Sequence, residues 1–377
     1  MDSIDAAIPA THKALLLNST RDPYDIAVVQ RPTPKAGPGS AVLRVLAVGV
    51  LTYAGKVYSG RKPYPYPTPL VPGLTSIGRV SAVGPDATVL KPGQLVFFDC
   101  FINGRDSPEA RCLSGLSAGM NAASNVLLEG EWRDSTFAEY AKVPLENCHL
   151  LNEARLCGSP ADGGLGYTIE DLAFLFYISV PFGGLRSVNV QAGEKVIVTP
   201  ATGAYGSAAV LAALAMGAQV IAMGRDAAKL EKIKAYGPKG RIRTVLNTGD
   251  MDADIKELTR DGPADVFFDI SPGKAFTSTH FRSCIHSLRL GGRVSMMGVH
   301  DGLPMPMMHM LINDITLKPR WMYSVEDMRV MIRLLEAGYL SLRGIRTVGT
   351  FPLEQFSQAF DAAAEMAGPC VQVLITP

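Results

Sequence analysis

The chain has 377 residues, 47% of them hydrophobic and 19% charged, with a formal net charge of +1. Such a length and composition provide material for two cores in a soluble protein. The basic residues are scattered and no uninterrupted apolar stretch approaches the roughly 20 residues that span a bilayer, which excludes a nucleic-acid groove, a polybasic anchor and a membrane helix.

In chain order, residues 1–5 include Asp2 and Asp5 and lead into no apolar run, an argument against a secretory signal. Residues 11–150 are rich in Gly, Pro, Val and short strand-like runs. Residues 41–48 alternate poorly and read as a mostly buried strand. Residues 80–84 and 95–98 read as two more, with Lys91-Pro92-Gly93-Gln94 as the turn between them. This region is predicted to be all-β and barrel-like. The character changes near residue 165. Thr168 can cap a helix, with Asp171 three residues on. From there to about residue 316, predicted strands (195–200, 219–223, 264–269, 292–298) alternate with helices (207–216, 226–236), which implies a parallel, doubly wound sheet. Residues 325–377 return to mixed structure and end in a strand over 370–375. Six cysteines (Cys100, Cys112, Cys148, Cys157, Cys284, Cys370) form no dense framework, and the simplest reading is reduced thiols in a cytoplasmic protein.

The first strand–helix turn of the alternating region is Ala201-Thr202-Gly203-Ala204-Tyr205-Gly206. It matches Gly-x-Gly-x-x-Gly except at Ala201. Gly203 lets the backbone approach a pyrophosphate, and Gly206 lets the helix pack on the strand. The helix beginning near Ala204 offers free N–H groups and a positive dipole end to phosphates. Alone, these six residues fit any glycine-rich turn; the strand before, the helix after and the second strand at the expected distance favour a dinucleotide site. That second strand ends Met223-Gly224-Arg225-Asp226. An NAD enzyme places an acid there to accept from the ribose 2′-hydroxyl. Here Gly224 leaves room for a phosphate, Arg225 offers a planar fork, and Lys229 lies one helical turn on. Asp226 reads as the cap of the next helix. The expected cofactor is NADPH rather than NADH; the alternative for Arg225 is a solvated surface charge.

Residues 72–80, Pro72-Gly73-Leu74-Thr75-Ser76-Ile77-Gly78-Arg79-Val80, resemble a signature of the zinc alcohol dehydrogenases, in which Gly-His-Glu is followed two residues later by Gly-x-Val. Gly49-Val50-Leu51, Lys91-Pro92-Gly93, residues 137–144 and the dinucleotide turn follow in the order of the medium-chain dehydrogenase/reductase family, and the resemblance covers nearly the whole chain. It implies an α/β architecture: a GroES-like β-rich catalytic domain over 1–165, a Rossmann NADP-binding domain over 166–320, and the rest of the catalytic domain over 321–377. It also implies NAD(P)H-dependent reduction or alcohol oxidation of a small molecule at the cleft between domains, often in a dimer. Ser271, Gly298 and Val299, at or just beyond the ends of later strands, complete the candidate cofactor contacts.

The departures from that pattern concern the metal. Leu74 and Thr75 stand where the family has His and Glu, and Leu51 stands where it has the first ligating Cys. Residues 174–181 contain no Cys, His, Asp or Glu for the third ligand. Only Cys100 and Cys112 fall in the region of the four-cysteine structural lobe, too few for a tetrahedral thiolate site. His12, His149, His280, His286, His300 and His309 show no paired spacing with the cysteines and read as surface or packing residues. No bound metal is expected.

Without zinc the substrate needs another proton source. By pattern, Tyr53 stands where zinc enzymes keep a Ser or Thr that relays the proton, and Lys56 where some have the outer His of that relay. Three residues apart, they share a face if the segment is helical, and a nearby ammonium favours the phenolate. They are the candidate catalytic pair. The alternative is that Tyr53 packs on the cofactor ring and Lys56 is solvated, with Tyr58, Tyr64 and Tyr66 shaping the pocket. Quinone oxidoreductases of the family often carry Asn and Asp where Leu51 and Ala54 stand, so that subgroup fits in part. Residues 99–132, with Met120, Leu127, Leu128 and Trp132, either line a large apolar pocket or pack as a relic lobe. The Met-rich run 305–311 predicts a homodimer, with a cleft cover as the alternative. The expected function is zinc-independent, NADPH-dependent reduction of a ketone, aldehyde or activated alkene, carbonyls favoured. Its rivals are a non-redox protein that keeps NADP as a structural ligand, and an isomerase or cyclase using the same pocket.

Overall fold

A computed structural model describes residues 8–118, 121–298 and 305–377; residues 1–5 lie outside them. The chain forms two compact units. One takes Met1–Phe176, Arg346–Ala367 and Gln372–Pro377, the other Tyr177–Ile345 and Gly368–Val371. The sequence-based boundaries at 165/166 and 320/321 fall earlier in the chain than these changes of unit. One reason is the helix Val325–Glu336, whose Met328, Met331 and Leu335 are fully buried and which belongs to the second unit.

The first unit is built on a seven-stranded sheet. Its path runs Arg346–Phe351, Val371–Ile375, Ser40–Gly49, Ser76–Val83, Leu95–Phe98 and Cys148–Leu150, with Tyr140–Pro144 also paired to Ser40–Gly49. The poor alternation of residues 41–48 has its explanation here. Leu43 lies between Val80 on one side and Ala141 on the other, and the strand is buried except at Arg44 and, in part, Leu46. A strand covered on both faces needs apolar residues at consecutive positions. Beside the sheet, the hairpin Phe101–Asn103 with Arg111–Leu113 and the helix Ala122–Glu129 form a small lobe. Ile102, Cys112, Ala118 and Leu128 are its core, against which Tyr66, Leu127 and Trp132 pack. These residues thus serve the lobe's own interior; Met120 lies outside the described residues.

The second unit is a six-stranded parallel sheet in the order Ile242–Leu246, Gln219–Gly224, Lys195–Thr199, Ala264–Asp269, Leu288–Met296, Thr316–Pro319. Every pairing is parallel, and the order reverses direction beside Lys195–Thr199, the doubly wound topology expected from the alternation of elements. Val196, Ile197, Val198, Phe267 and Phe268 are fully buried; each phenylalanine contributes about 1.5–3 kcal/mol relative to an exposed ring. The helix predicted at 168 starts on a capping box: Thr168 Oγ1 accepts from Asp171 N–H at 3.1 Å while the Asp171 carboxylate accepts from Thr168 N–H at 2.9 Å. No helix among the described residues is long and apolar enough to cross a membrane.

Candidate active site

The dinucleotide turn joins the strand Lys195–Thr199 to the helix Ala204–Ala215, with Gly203 at the N-cap. A methyl group on Gly203 would meet nothing within 4 Å, so the backbone there faces open space. At Gly206 the reverse holds: a methyl would lie 1.9 Å from the Pro200 carbonyl oxygen. Helix and strand therefore approach as closely as the fingerprint requires. The first turn of the helix carries no acidic residue, leaving its positive end free for an anion. Tyr205 packs edge-on against Tyr177 with ring centroids 5.1 Å apart.

At the end of the second strand, a methyl on Gly224 would sit 2.8 Å from Thr202 Cγ2. The space beside Gly224, read from sequence as room for a phosphate, is bordered by the Thr202 side chain. Asp226 caps the next helix, accepting from Lys229 N–H at 3.0 Å, as expected from sequence. Arg225 is exposed, and among the described residues no carboxylate pairs with it.

Thr199 and Asp269 are partners across the two central strands, at the point where the strand order reverses. Ser271 follows two residues later and is 3% exposed. Its hydroxyl lies 2.7 Å from Asp269 Oδ1 and 2.8 Å from His280 Nε2, and His280 Nδ1 lies 2.8 Å from Ser278 Oγ. A carboxylate only accepts, so the Ser271 proton points to Asp269; His280 then donates from Nε2 and accepts at Nδ1 from Ser278. His280, read from sequence as a packing or surface residue, is a member of a buried polar chain that no local motif announces. Gly298 donates its N–H to the Asp269 carbonyl at 3.2 Å. Val299 and His300 lie outside the described residues.

In the first unit, Leu51, Leu74 and Thr75 are each 2% exposed. Leucine offers a metal no donor. Thr75 is committed elsewhere: its Oγ1 donates to Cys100 Sγ at 3.4 Å and accepts from Cys100 N–H at 3.2 Å. Burial pushes the Cys100 and Cys112 thiols up to about 12. Among the described residues, no three His, Cys, Asp or Glu side chains gather as a metal site would need. These residues do not fit a catalytic or structural zinc. His149, another residue read as packing, makes a buried pair with Asp99, Nε2 to Oδ2 2.6 Å.

Tyr53 is the N-cap residue of the short helix Ala54–Tyr58, and Lys56 N–H donates to the Tyr53 carbonyl at 3.0 Å. The Lys56 side chain is exposed. The ammonium that lies over the Tyr53 ring belongs instead to Lys62, 3.8 Å from the ring centroid and 5.4 Å from that of Tyr64. Sequence spacing suggested Lys56, but a chain reversal returns Lys62, whose N–H donates to the Lys56 carbonyl at 2.7 Å. The neighbouring tyrosines divide by what their hydroxyls do. Tyr58 is buried, donates to the Gly115 carbonyl at 3.1 Å, and is held neutral by burial. Tyr66 donates to the Val57 carbonyl at 2.8 Å.

This pairing of a β-rich unit with a doubly wound nucleotide-binding sheet has known counterparts. Residues 37–153 match the alcohol dehydrogenase GroES-like domain, and residues 204–337 match the zinc-binding dehydrogenase family. The chain belongs to the medium-chain dehydrogenase/reductase family. It is 28% identical over 313 residues to an L-arabinitol 4-dehydrogenase of Talaromyces emersonii, covering 80% of this chain and 75% of that protein. It is 24% identical over 376 residues to the sorbitol dehydrogenase of Rattus norvegicus, covering 98% of both. In fold, it is similar to a short chain alcohol dehydrogenase from E. coli CFT073, complexed with NADH, with a TM-score of 0.77 at 17% identity over 98% of this chain and 100% of that one. This dehydrogenase/reductase thus carries the two folds of its family.

Proposed function

We propose that the protein is a zinc-independent, NADPH-dependent reductase of a ketone or aldehyde, with activated alkenes as the adjacent substrate class. The observation that carries this reading is the open glycine turn at a helix N-terminus, set beside a strand end that has Gly224 and Arg225 and no acid. Thr202, Gly203, Ala204, Tyr205 and Gly206 would hold the pyrophosphate through backbone N–H groups. Gly224, Arg225 and Lys229 would receive the 2′-phosphate, Arg225 through its fork. Gly298 would complete the contacts, and Ser271, whose hydroxyl is taken by Asp269 and His280, would hold that strand end in place. The nicotinamide, when bound, supplies the hydride.

The chain's own residues supply the rest. A carbonyl oxygen gains negative charge as it is reduced, and a hydroxyl placed near it donates the proton. Tyr53 has that role, with Lys56 at the solvent end. The polyol dehydrogenases among the relatives favour a carbonyl and alcohol pair over an alkene. The test is NADPH oxidation with a panel of aldehydes, ketones, quinones and enones. No oxidation with any of them, alongside tight NADPH binding, would transfer the weight to a non-redox or isomerase role.

Zinc independence rests on Leu51, Leu74 and Thr75. Washed protein analysed by mass spectrometry should hold far less than one zinc per chain, and a chelator should leave turnover unchanged. Stoichiometric zinc would overturn this part of the reading. The homodimer rests on the helix Met307–Ile312, where Met307, Met308, Leu311 and Ile312 are 64–74% exposed just before the edge strand Thr316–Pro319. An apolar patch of this kind marks an association surface. Light scattering at micromolar concentration should give twice the chain mass; a monomer rejects the dimer.

A further inference from the structure

We propose that Lys62, set over the Tyr53 ring and beside Tyr64, is the fixed positive charge that receives the substrate's oxygen as it becomes anionic. This inference rests on the reductase reading and deepens it. Lys62 Nζ lies 3.8 Å from the Tyr53 ring centroid and 5.4 Å from that of Tyr64, and the two rings are 6.3 Å apart at 35°. Contacts of this kind attract a cation to the ring face. They restrain the ammonium without neutralising it, whereas a carboxylate partner would cancel its charge.

The adjacent cation shows the contrast. Arg61 is 3.6 Å from the Asp22 carboxylate and bonds Ser59 Oγ at 3.0 Å. Among the described residues no carboxylate pairs with Lys62, and its side chain makes no hydrogen bond there. Its backbone is fixed, however, by the 2.7 Å bond to the Lys56 carbonyl, and the residue is half-buried. A half-buried ammonium with three unused donors is complementary to an oxyanion. Lys62 follows the short helix that Tyr53 caps, and Tyr53 lies two residues beyond Leu51, where the resemblance places the family's first metal ligand. A metal ion polarises a carbonyl oxygen by its charge; an uncompensated ammonium can do the same work without ligands. Tyr64 flanks the ammonium at a longer distance than Tyr53, and no hydrogen bond within the described residues engages its hydroxyl.

Three variants and two readouts test this. Lys62→Met keeps the length and apolar stem, Lys62→Arg keeps the charge, and Arg61→Met is the control at the adjacent exposed cation. NADPH-dependent reduction of an aromatic aldehyde should fall on the order of 10²-fold in kcat for Lys62→Met, the effect of losing one oxyanion donor. The NADPH Kd and the melting temperature should stay near wild type, and Lys62→Arg should recover most of the loss. The second readout needs no turnover: calorimetric titration of the full-length protein with benzoate, whose carboxylate imitates the developing oxyanion. Binding by wild type and Lys62→Arg but not by Lys62→Met supports the anion site, even if no aldehyde is reduced and the reductase reading falls. No benzoate binding by wild type, or binding and kcat unmoved by Lys62→Met, overturns the inference.

Discussion

Tyr53→Phe is expected to lower kcat by roughly 10²–10⁴-fold, the range for a positioned general acid, while the NADPH Kd stays within about twofold of wild type on the same reasoning that only an oxygen has been removed. The ring, its place at the start of the helix Ala54–Tyr58 and its contact with Lys62 remain. The comparison variants are set by the geometry of the other tyrosines. Tyr58 and Tyr66 spend their hydroxyls on the Gly115 and Val57 carbonyls, and Tyr58 also stacks on Phe360 at 5.8 Å. Their Phe variants should cost about 0.5–1.5 kcal/mol of stability, the net value of a hydrogen bond, and leave turnover largely intact. If Tyr53→Phe turns over normally while Tyr64→Phe does not, the donor is Tyr64. If neither is impaired, the proton comes from water or the cofactor ribose, and alkene reduction gains weight.

The second large effect concerns cofactor choice. Arg225→Ala should weaken NADPH binding by about 1–3 kcal/mol, or some 5–150-fold, the scale of a charge-assisted hydrogen bond lost at a phosphate. NADH binding should barely change. The guanidinium is exposed and without a carboxylate partner among the described residues, so no internal ion pair is broken by its removal. Fluorescence titration with both cofactors reads the result. An equal loss for NADPH and NADH means that Arg225 does not read the 2′-phosphate. A protein that prefers NADH outright would instead place the ribose against the crowded Gly224–Thr202 contact.

Much of the cofactor unit follows from local sequence. Buried parallel strands must be apolar at successive positions, and a pyrophosphate turn must have glycine where a side chain would collide. Residues 195–206 obey both rules, so strand, turn and helix can be read directly, and the 1.9 Å clash at Gly206 is the physical content of that motif. Caps were legible for the same reason: Thr168 and Asp226 bond to N–H groups three residues away, within one turn of chain.

Tertiary structure decided what local spacing could not. Tyr53 and Lys56 are close in sequence, but the ammonium over the tyrosine ring is that of Lys62, because the chain turns back after Tyr58. Ser271 reads in sequence as a cofactor contact, yet Asp269 and His280 converge on its hydroxyl from a strand end and the start of a helix. Cys100 and Thr75, twenty-five residues apart, meet across paired strands and satisfy each other. The sequence by itself determined the two folds and the glycine turn between strand and helix, since each depends on residue type along a short stretch. Only the tertiary structure decided which cation faces Tyr53 and which hydroxyls are already spent, since hydrogen bonds and cation–π contacts depend on distances that close only when separate segments fold together.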